Sequence, residues 1–363
     1  MKRFFLFLSL LAACMTGLAQ DSDRPLRIAV AGVTHDHLWN VANVLNRGDL
    51  VVVGVWEPDD AYRKQNILTG KVPDKVFYAD LDRMLRKTKP EVVVCYGPII
   101  DHVRMVRACA PLHIDVMVEK PLATTYRDAL EIDSLARKFG IRVLTNYETS
   151  WYSSNAYAKE LMDEGKMGKV FRMEVYDGHE GPIEIGCSKR FTNWLTDPEK
   201  NGGGAVIDFG CYGVNLATWL FHGEPPVSVS AVLRTNKPGV YPKVDDDATI
   251  VLNYKDAVVT VMGSWCWPQG RKDMYIYGLD GQLHQKNSTD MTVRLRGDKE
   301  ARDIKVPVLK APYDDSFAYL KAVVRGKIDL TPTDLASLEN NVLVVRILEA
   351  AKESARTGRS VRL

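Results

Sequence analysis

The sequence predicts an α/β protein in two parts: a doubly wound parallel sheet, then an α/β domain with an open, mostly antiparallel sheet. Three observations predict it. From Leu26 to Asn146 short apolar runs alternate with amphipathic segments, the rhythm of strands joined by crossover helices. Two of the runs, Val51-Val52-Val53 and Val92-Val93-Val94, are apolar without interruption, as strands covered on both faces are. After Tyr147 the pattern changes to period-two alternation, as in Ala248-Thr249-Ile250-Val251-Leu252, which suits a sheet with one buried face.

In the first part, strands are expected at 26–32, 50–56, 91–96, 113–118 and 141–146. Helical stretches lie between them near 37–46, 59–67, 80–87, 99–110 and 124–138. In the second part a helix at 151–164 leads into a long strand at 169–180, followed by irregular chain up to a triple glycine at 202–204. Strands then cluster at 226–234, 246–254, 257–267, 273–278, 281–286 and 290–296, and helices at 311–325 and 332–356 close the chain. No repeat, low-complexity tract or long linker interrupts this order, so two closely coupled domains are expected at 24–146 and 147–363.

Residues 1–19 read as a leader. Met1-Lys2-Arg3 is a basic head, Phe4 to Ala13 is apolar, and Gly17-Leu18-Ala19 offers a cleavage site before Gln20. The run is too short to span a bilayer, so it predicts export to the periplasm rather than a transmembrane segment. Leu11-Ala12-Ala13 before Cys14 is a second site, resembling a lipobox, which would place lipid on Cys14. Removing Lys2 and Arg3 takes the formal charge from +2 to zero, which leaves no electrostatic case for nucleic acid. The five remaining cysteines, at 95, 109, 187, 211 and 266, contain no Cys-x-x-Cys pair. Buried free thiols are expected rather than a disulfide framework, and no metal-ligand spacing is visible.

The first strand ends in Gly32-Val33-Thr34-His35-Asp36-His37. A dinucleotide-binding turn has glycine where this chain has Gly32, Thr34 and His37, and only the first is kept. A helix N-terminus here can still offer amide donors to a pyrophosphate. Glu57 ends the second strand, 25 residues after Gly32. It either accepts from both ribose hydroxyls, favouring NAD over NADP, or caps the next helix beside Pro58 and Asp59. His102, after the Gly97-Pro98 turn, either faces a cofactor or packs its own helix.

Lys120, in Val118-Glu119-Lys120-Pro121, ends a parallel strand, where an ammonium can lean over a nicotinamide ring and hold a substrate hydroxyl. Asp208 and Tyr212 follow the triple glycine four residues apart, so on one helix they share a face. An adjacent ammonium is expected to lower the phenol from its usual value of about 10. The alternative is a Lys120–carboxylate pair at a domain seam with Tyr212 as a core aromatic.

At these residues the chain resembles the Gfo/Idh/MocA oxidoreductase family. The segments that carry the resemblance are the Gly32 turn, Tyr96-Gly97-Pro98-x-x-x-His102, Glu119-Lys120-Pro121, Gly202-Gly203-Gly204-x-x-x-Asp208-x-Gly210-x-Tyr212 and Glu353-Ser354-Ala355-Arg356-Thr357-Gly358. They span essentially the whole mature length. The resemblance implies a Rossmann domain that binds NAD or, less readily, NADP through the region of Gly32, Thr34, His35, Glu57, Gly97, His102, Glu119, Lys120 and Trp194. It also implies a second domain whose sheet mediates dimers or tetramers. Lys120 would orient the substrate hydroxyl, Asp208 would support it, and Tyr212 would be the acid/base. The tyrosine is similar to the glucose-fructose oxidoreductase branch, where many relatives have histidine. Many relatives also carry Trp-Arg where this chain has Trp194-Leu195.

Between 147 and 194, Tyr147, Trp151, His179 and Arg190 are candidate sugar contacts, with Glu148, Tyr152 and Glu180 beside them. Outside the cytoplasm there is no dependable nicotinamide pool. A retained NAD is therefore expected, serving redox-neutral chemistry on a sugar: hydride passed between sugars, or transient oxidation that permits elimination, epimerisation or glycoside cleavage. The competing expectation is a non-catalytic, exported sugar-binding protein on the same fold, supported by Thr34, His37 and Leu195.

Overall fold

A computed structural model describes residues 24–363; the leader, with Cys14, lies outside the described residues. The first sheet has strands β1 (Leu26–Ala31), β2 (Leu50–Trp56), β3 (Phe77–Tyr78), β4 (Val92–Cys95), β5 (Asp115–Glu119) and β6 (Val143–Asn146). They lie in the order β3-β2-β1-β4-β5-β6, all parallel. Val92, Val93 and Val94 are fully buried, as their unbroken apolar run requires. The strand order reverses between β1 and β4, and ligands bind at such a switch point, beyond the carboxyl ends of the strands. Gly32, Glu57, Gly97 and Lys120 each follow a strand at that edge.

The second sheet has nine strands: β7 (Val170–Gly178), β8 (Ser228–Arg234), β9 (Asp247–Asn253), β10 (Val258–Ser264), β11 (Arg271–Gly278), β12 (Gly281–Gln285), β13 (Asp290–Leu295), β14 (Arg302–Lys305) and β15 (Val361–Arg362). Their order is β14-β13-β12-β11-β7-β10-β9-β8-β15. All neighbours are antiparallel except β7 and β10, which run parallel. The sheet is therefore mixed, because the meander β8–β9–β10 folds back to lay its last strand along β7. The short strands β3, β14 and β15 carry too little pattern to be read from sequence.

One face of this sheet is covered by helices Gly210–Leu220 and Leu338–Thr357. A Cβ on Gly213 would sit 2.5 Å from Val261, so that helix lies flush on the sheet. The C-terminal stretch also returns to the first domain. Phe317, Leu320 and Val323 share a core with Val30, Val94 and Tyr96, and Leu338 and Val345 pack with Leu122 and Ile132. Arg325 closes the same seam by donating to Glu91 at 2.6 Å.

Candidate active site

Lys120 leaves β5 at the floor of a cavity of about 480 Å³ between the two domains. Its ammonium donates to the Asp208 backbone carbonyl at 2.8 Å and to the Asp208 carboxylate. Trp265, at the end of β10, donates its indole N–H to the other carboxylate oxygen at 2.9 Å. Burial disfavours both charges, but the ion pair wins: it holds Lys120 above and Asp208 below their ordinary values. Asp208 and Tyr212 do not share one helix. The chain breaks at Phe209, so Asp208 ends the helix Ala205–Asp208 and Tyr212 lies in the next, Gly210–Leu220. Both still reach Lys120, whose Nζ stands 5.0 Å from the Tyr212 ring centroid.

The Tyr212 phenol is shifted opposite to expectation. Burial, followed by the charge of Glu148, pushes it well above its ordinary value. Lys120 is committed to Asp208, and Tyr212 itself is buried, which disfavours a phenolate. Tyr212 is therefore held as a neutral proton donor. Tyr147 is fully buried and packs edge-on beneath the Tyr212 ring at 5.4 Å; it supports that ring instead of facing the cavity.

Glu119, the residue before Lys120, is buried and accepts two hydrogen bonds. His37 Nδ1 lies 3.0 Å from one oxygen and Asn146 Nδ2 3.0 Å from the other. Burial opposes its charge, but His37, Asn146 and Lys120 outweigh it and keep the carboxyl low. His37 lines the cavity with Lys120 and Tyr212. His35 lies behind it, and ligand atoms of His35, His37 and Glu119 fall within 4.8 Å of one another, a grouping the sequence spacing did not reveal. His35 Nδ1 accepts the His37 backbone N–H at 3.0 Å, which leaves its Nε2 protonated. The three form a hydrogen-bonded chain, not a ready set of metal lone pairs.

A second cavity, about 310 Å³, lies across the strand-end edge and is lined by Gly32, Thr34, Glu57, Gly97, His102 and Trp194, among others. Gly32 has φ +81°, and a Cβ there would sit 2.7 Å from Gly97, so the close approach of the two loops at this point requires glycine. Glu57 accepts from Val33 N at 3.2 Å and Asp59 N at 3.0 Å, which aims its carboxylate, and burial raises its pKa. The turn itself does not present the amides expected of it. Thr34 N and His35 N both donate to Tyr96 O, and His37 N donates to His35. Among the residues lining this cavity, the buried atoms without a partner are instead Thr34 Oγ1, His102 Nε2, Trp194 Nε1 and Arg190 Nε. All four residues line this cavity. Such orphaned groups beside an aimed carboxylate fit a polar nucleotide. His102 is held neutral, its pKa lowered by burial to about 4.

The two cavities lie on either side of the turn at 32–37 and the helix Lys189–Leu195, residues of which line both. Asp36 ties these together by accepting from Ser188 N at 2.8 Å. Of the candidate sugar contacts, His179 lines the first cavity, with Glu148 and Tyr152. Arg190 faces the second. Trp151 lies in a third pocket, against Tyr319 at 5.3 Å, although Glu148 of the same 3-10 turn lines the first.

The sequence reading missed Lys272, Asp177 and Trp265. Lys272 on β11 is the cross-strand partner of Asp177 on β7. Its Nζ lies 4.6 Å from the Tyr212 ring centroid and pairs with Glu148. Asp177 is buried with Oδ2 unpartnered, and burial pushes its carboxyl up to about 8. The unfolded carboxyl titrates near 3.8. The folded state therefore binds the extra proton between those values, and stability from this group falls as pH rises from 4 through 8. Asp177→Asn is expected to raise the melting temperature relative to the parent, by little at pH 5 and by several degrees or more at pH 8. A calorimetric pH series in which the gap fails to widen would refute this.

Comparison with known proteins gives two family matches. Residues 26–147 match the NAD-binding Rossmann fold of an oxidoreductase family, and 155–284 match the GFO/IDH/MocA C-terminal domain. An uncharacterised oxidoreductase from Schizosaccharomyces pombe is 25% identical over 329 residues, covering 80% of this chain and 86% of that one. A trans-1,2-dihydrobenzene-1,2-diol dehydrogenase from Xenopus tropicalis is 27% identical over 177 residues, with the alignment spanning 48% of this chain and 50% of that protein. Among solved structures, an aldose-aldose oxidoreductase from Caulobacter crescentus complexed with glycerol superposes with a TM-score of 0.76 at 21% identity, covering 94% of this chain and 100% of that one. An inositol dehydrogenase homologue from Azotobacter vinelandii complexed with NAD+ gives 0.78 at 16% identity, covering 94% and 98%. At those identities the superpositions establish the fold.

Proposed function

The chain belongs to the GFO/IDH/MocA oxidoreductase family, whose domain models match 26–147 and 155–284, and from that premise we propose an exported, NAD-dependent enzyme that works on a secondary alcohol of a sugar or sugar derivative with no net redox change. The observation that carries the reading is the meeting of Lys120, Asp208 and Tyr212 in one cavity beside the groove marked by Glu57. Bound NAD would supply the hydride acceptor and return donor. It would be held by the Glu57 carboxylate on the ribose and by Thr34, His102 and Trp194 along the groove.

The Lys120 ammonium donates to the substrate oxygen and stabilises negative charge on it. Asp208, fixed by Trp265, keeps that ammonium charged and aimed. Tyr212, neutral in its buried setting, hands a proton to the oxygen when charge develops there and takes it back when the carbonyl forms. His179, Glu148 and Tyr152 line the wall where sugar hydroxyls would bind. Export rests on the basic and apolar stretch at 1–19, and retention of NAD follows from the lack of a dependable nicotinamide supply outside the cytoplasm.

The test is to purify the mature protein from the exported fraction, denature it, and identify released nucleotide by mass spectrometry. Near-stoichiometric NAD(H) is the expected result. A protein that is empty and also fails to bind added NAD would favour the competing reading, a sugar-binding protein; the internally satisfied amides of the 32–37 turn favour that reading. On the NAD reading, Glu57→Gln is expected to weaken NAD binding about 10- to 100-fold, the worth of a charge-assisted hydrogen bond. It should also narrow the preference over NADP, since a carboxylate repels a 2′-phosphate. Titration calorimetry with both nucleotides reads this directly, and an unchanged preference would remove Glu57 from the ribose site.

A further inference from the structure

Lys120, Asp208 and Tyr212 account for one substrate oxygen and leave His37, another ionisable side chain of the same cavity, without a task. Asp36 and His37 both reach that wall from the nucleotide turn; Asp36 is engaged by Ser188, whereas the His37 side chain is 30% exposed. Its Nδ1 is 3.0 Å from the Glu119 carboxylate, which is itself 2% exposed and fixed from the other side by Asn146 at 3.0 Å. A carboxylate can only accept, so in the neutral ring Nδ1 carries the hydrogen and Nε2 the lone pair. An imidazole oriented in this way by a buried acid is the arrangement that makes histidine a base.

Three features keep this dyad in register. His35 Nδ1 takes the His37 backbone N–H at 3.0 Å, and the His35 and His37 rings pack at 4.5 Å. Asp36 anchors the turn to the helix Lys189–Leu195 through Ser188. Glu119 is the direct neighbour of Lys120, so the base and the oxygen-binding ammonium are set by adjacent residues of one strand end. A glycine at position 37, as in an ordinary dinucleotide turn, would have no such side chain.

We propose that His37, oriented by Glu119, is a second base of this site and removes the proton from the carbon next to a sugar carbonyl. This rests on the reading of the site given above and selects, among redox-neutral outcomes, those that proceed through an enediolate. The His37 Nε2 lone pair takes the proton. The C–H bond pair becomes the new C=C bond, and the C=O π pair moves to oxygen, where the Lys120 ammonium meets the charge. The proton on Nε2 then returns to carbon, or goes to a leaving group that departs from the next carbon with its bond pair. No oxidant or reductant enters this step. Glu119 is a positioning residue: it sets the tautomer and touches no substrate.

The experiment uses ready-made ketones, so that it does not depend on hydride transfer. Mature protein saturated with NAD is placed in D2O with the 2-, 3- or 4-keto derivative of methyl α-D-glucopyranoside. Loss of the proton signals beside the carbonyl is followed by NMR. The parent is expected to accelerate exchange on at least one probe over buffer, and His37→Gln to slow that exchange at least about 100-fold, as loss of a general base does, with NAD affinity unchanged. Nitrogen-15 spectra of histidine-labelled protein should show His37 protonated at Nδ1 and bare at Nε2. Glu119→Gln should reverse that tautomer and slow exchange while preserving the melting temperature to within a few degrees. Exchange on none of the three ketones by the parent, exchange undiminished in His37→Gln, or a ring protonated at Nε2 would each overturn the proposal. Failure of the parent to reduce NAD with the corresponding glucosides would instead count against the oxidoreductase reading on sugars and leaves the exchange result standing by itself.

Discussion

Lys120→Met is expected to lower turnover at least about a thousand-fold, since it removes the donor on the reacting oxygen and disturbs the acid beside it. Stability should fall as well. Asp208 is buried, and without the ammonium it keeps only the Trp265 indole and the low-dielectric cost of its charge. Breaking a buried ion pair from one side typically costs about 3–5 kcal/mol. The double variant Lys120→Met/Asp208→Asn separates the two losses. It should recover much of the stability, because no uncompensated charge remains, and none of the turnover. Chemical denaturation of the two variants, alongside kinetics on any accepted sugar, decides the point. A single variant as stable as the parent would mean that Asp208 is not held as a carboxylate by Lys120.

Gly204→Ala should be among the most damaging single methyls in the described residues. Its Cβ would lie 1.8 Å from the Asp245 carbonyl oxygen, inside any allowed contact. That carbonyl already accepts from Ala205 N at 3.0 Å, and the Asp245 carboxylate accepts from Gly204 N and Val206 N at 2.8 and 2.7 Å. The methyl must push the start of the helix Ala205–Asp208 off its anchor, and Asp208 is the last residue of that helix. A cost of about 3 kcal/mol or more is expected, in the range reserved for backbone displacement and overpacking. Turnover should fall further than stability explains, since Lys120 loses its partner's position. Gly239→Ala, where nothing lies within 4 Å, is the control and should be close to neutral.

Much of this was legible from sequence, and the limits have physical causes. The parallel sheet announced itself through the alternation of elements and the buried run Val92–Val94, though Val51 of the other valine run is exposed; the strand-end positions of Gly32, Glu57 and Lys120 followed from it. Asp208 and Tyr212 were found from the triple glycine, but the break at Phe209 between them was not, since nothing in Asp-Phe-Gly-Cys-Tyr forbids a continuous helix. Lys272 and Asp177 escaped because their strands are joined by pairing across about 90 residues of intervening chain, which no local pattern encodes. The spent amides of the 32–37 turn escaped for a similar reason: their acceptor, the Tyr96 carbonyl, comes from another loop. His37 was visible only as a missing glycine; its partnership with Glu119 needed both strand ends in place. Trp151 and Arg190 were chosen for chemistry alone, and the fold placed them in other pockets.

The return of the C-terminal stretch to the first domain bears on how the chain is made. Domains usually close one after another as synthesis proceeds, at about 5–20 residues per second. Here Phe317, Leu320 and Val323 fill the core beneath β1 and β4, and Leu338 and Val345 fill the opposite side. The nascent N-terminal half therefore lacks part of its own interior until residues 317–345 have left the ribosome. A chain in that condition cannot complete the core of its first domain before residues 317–345 are in place.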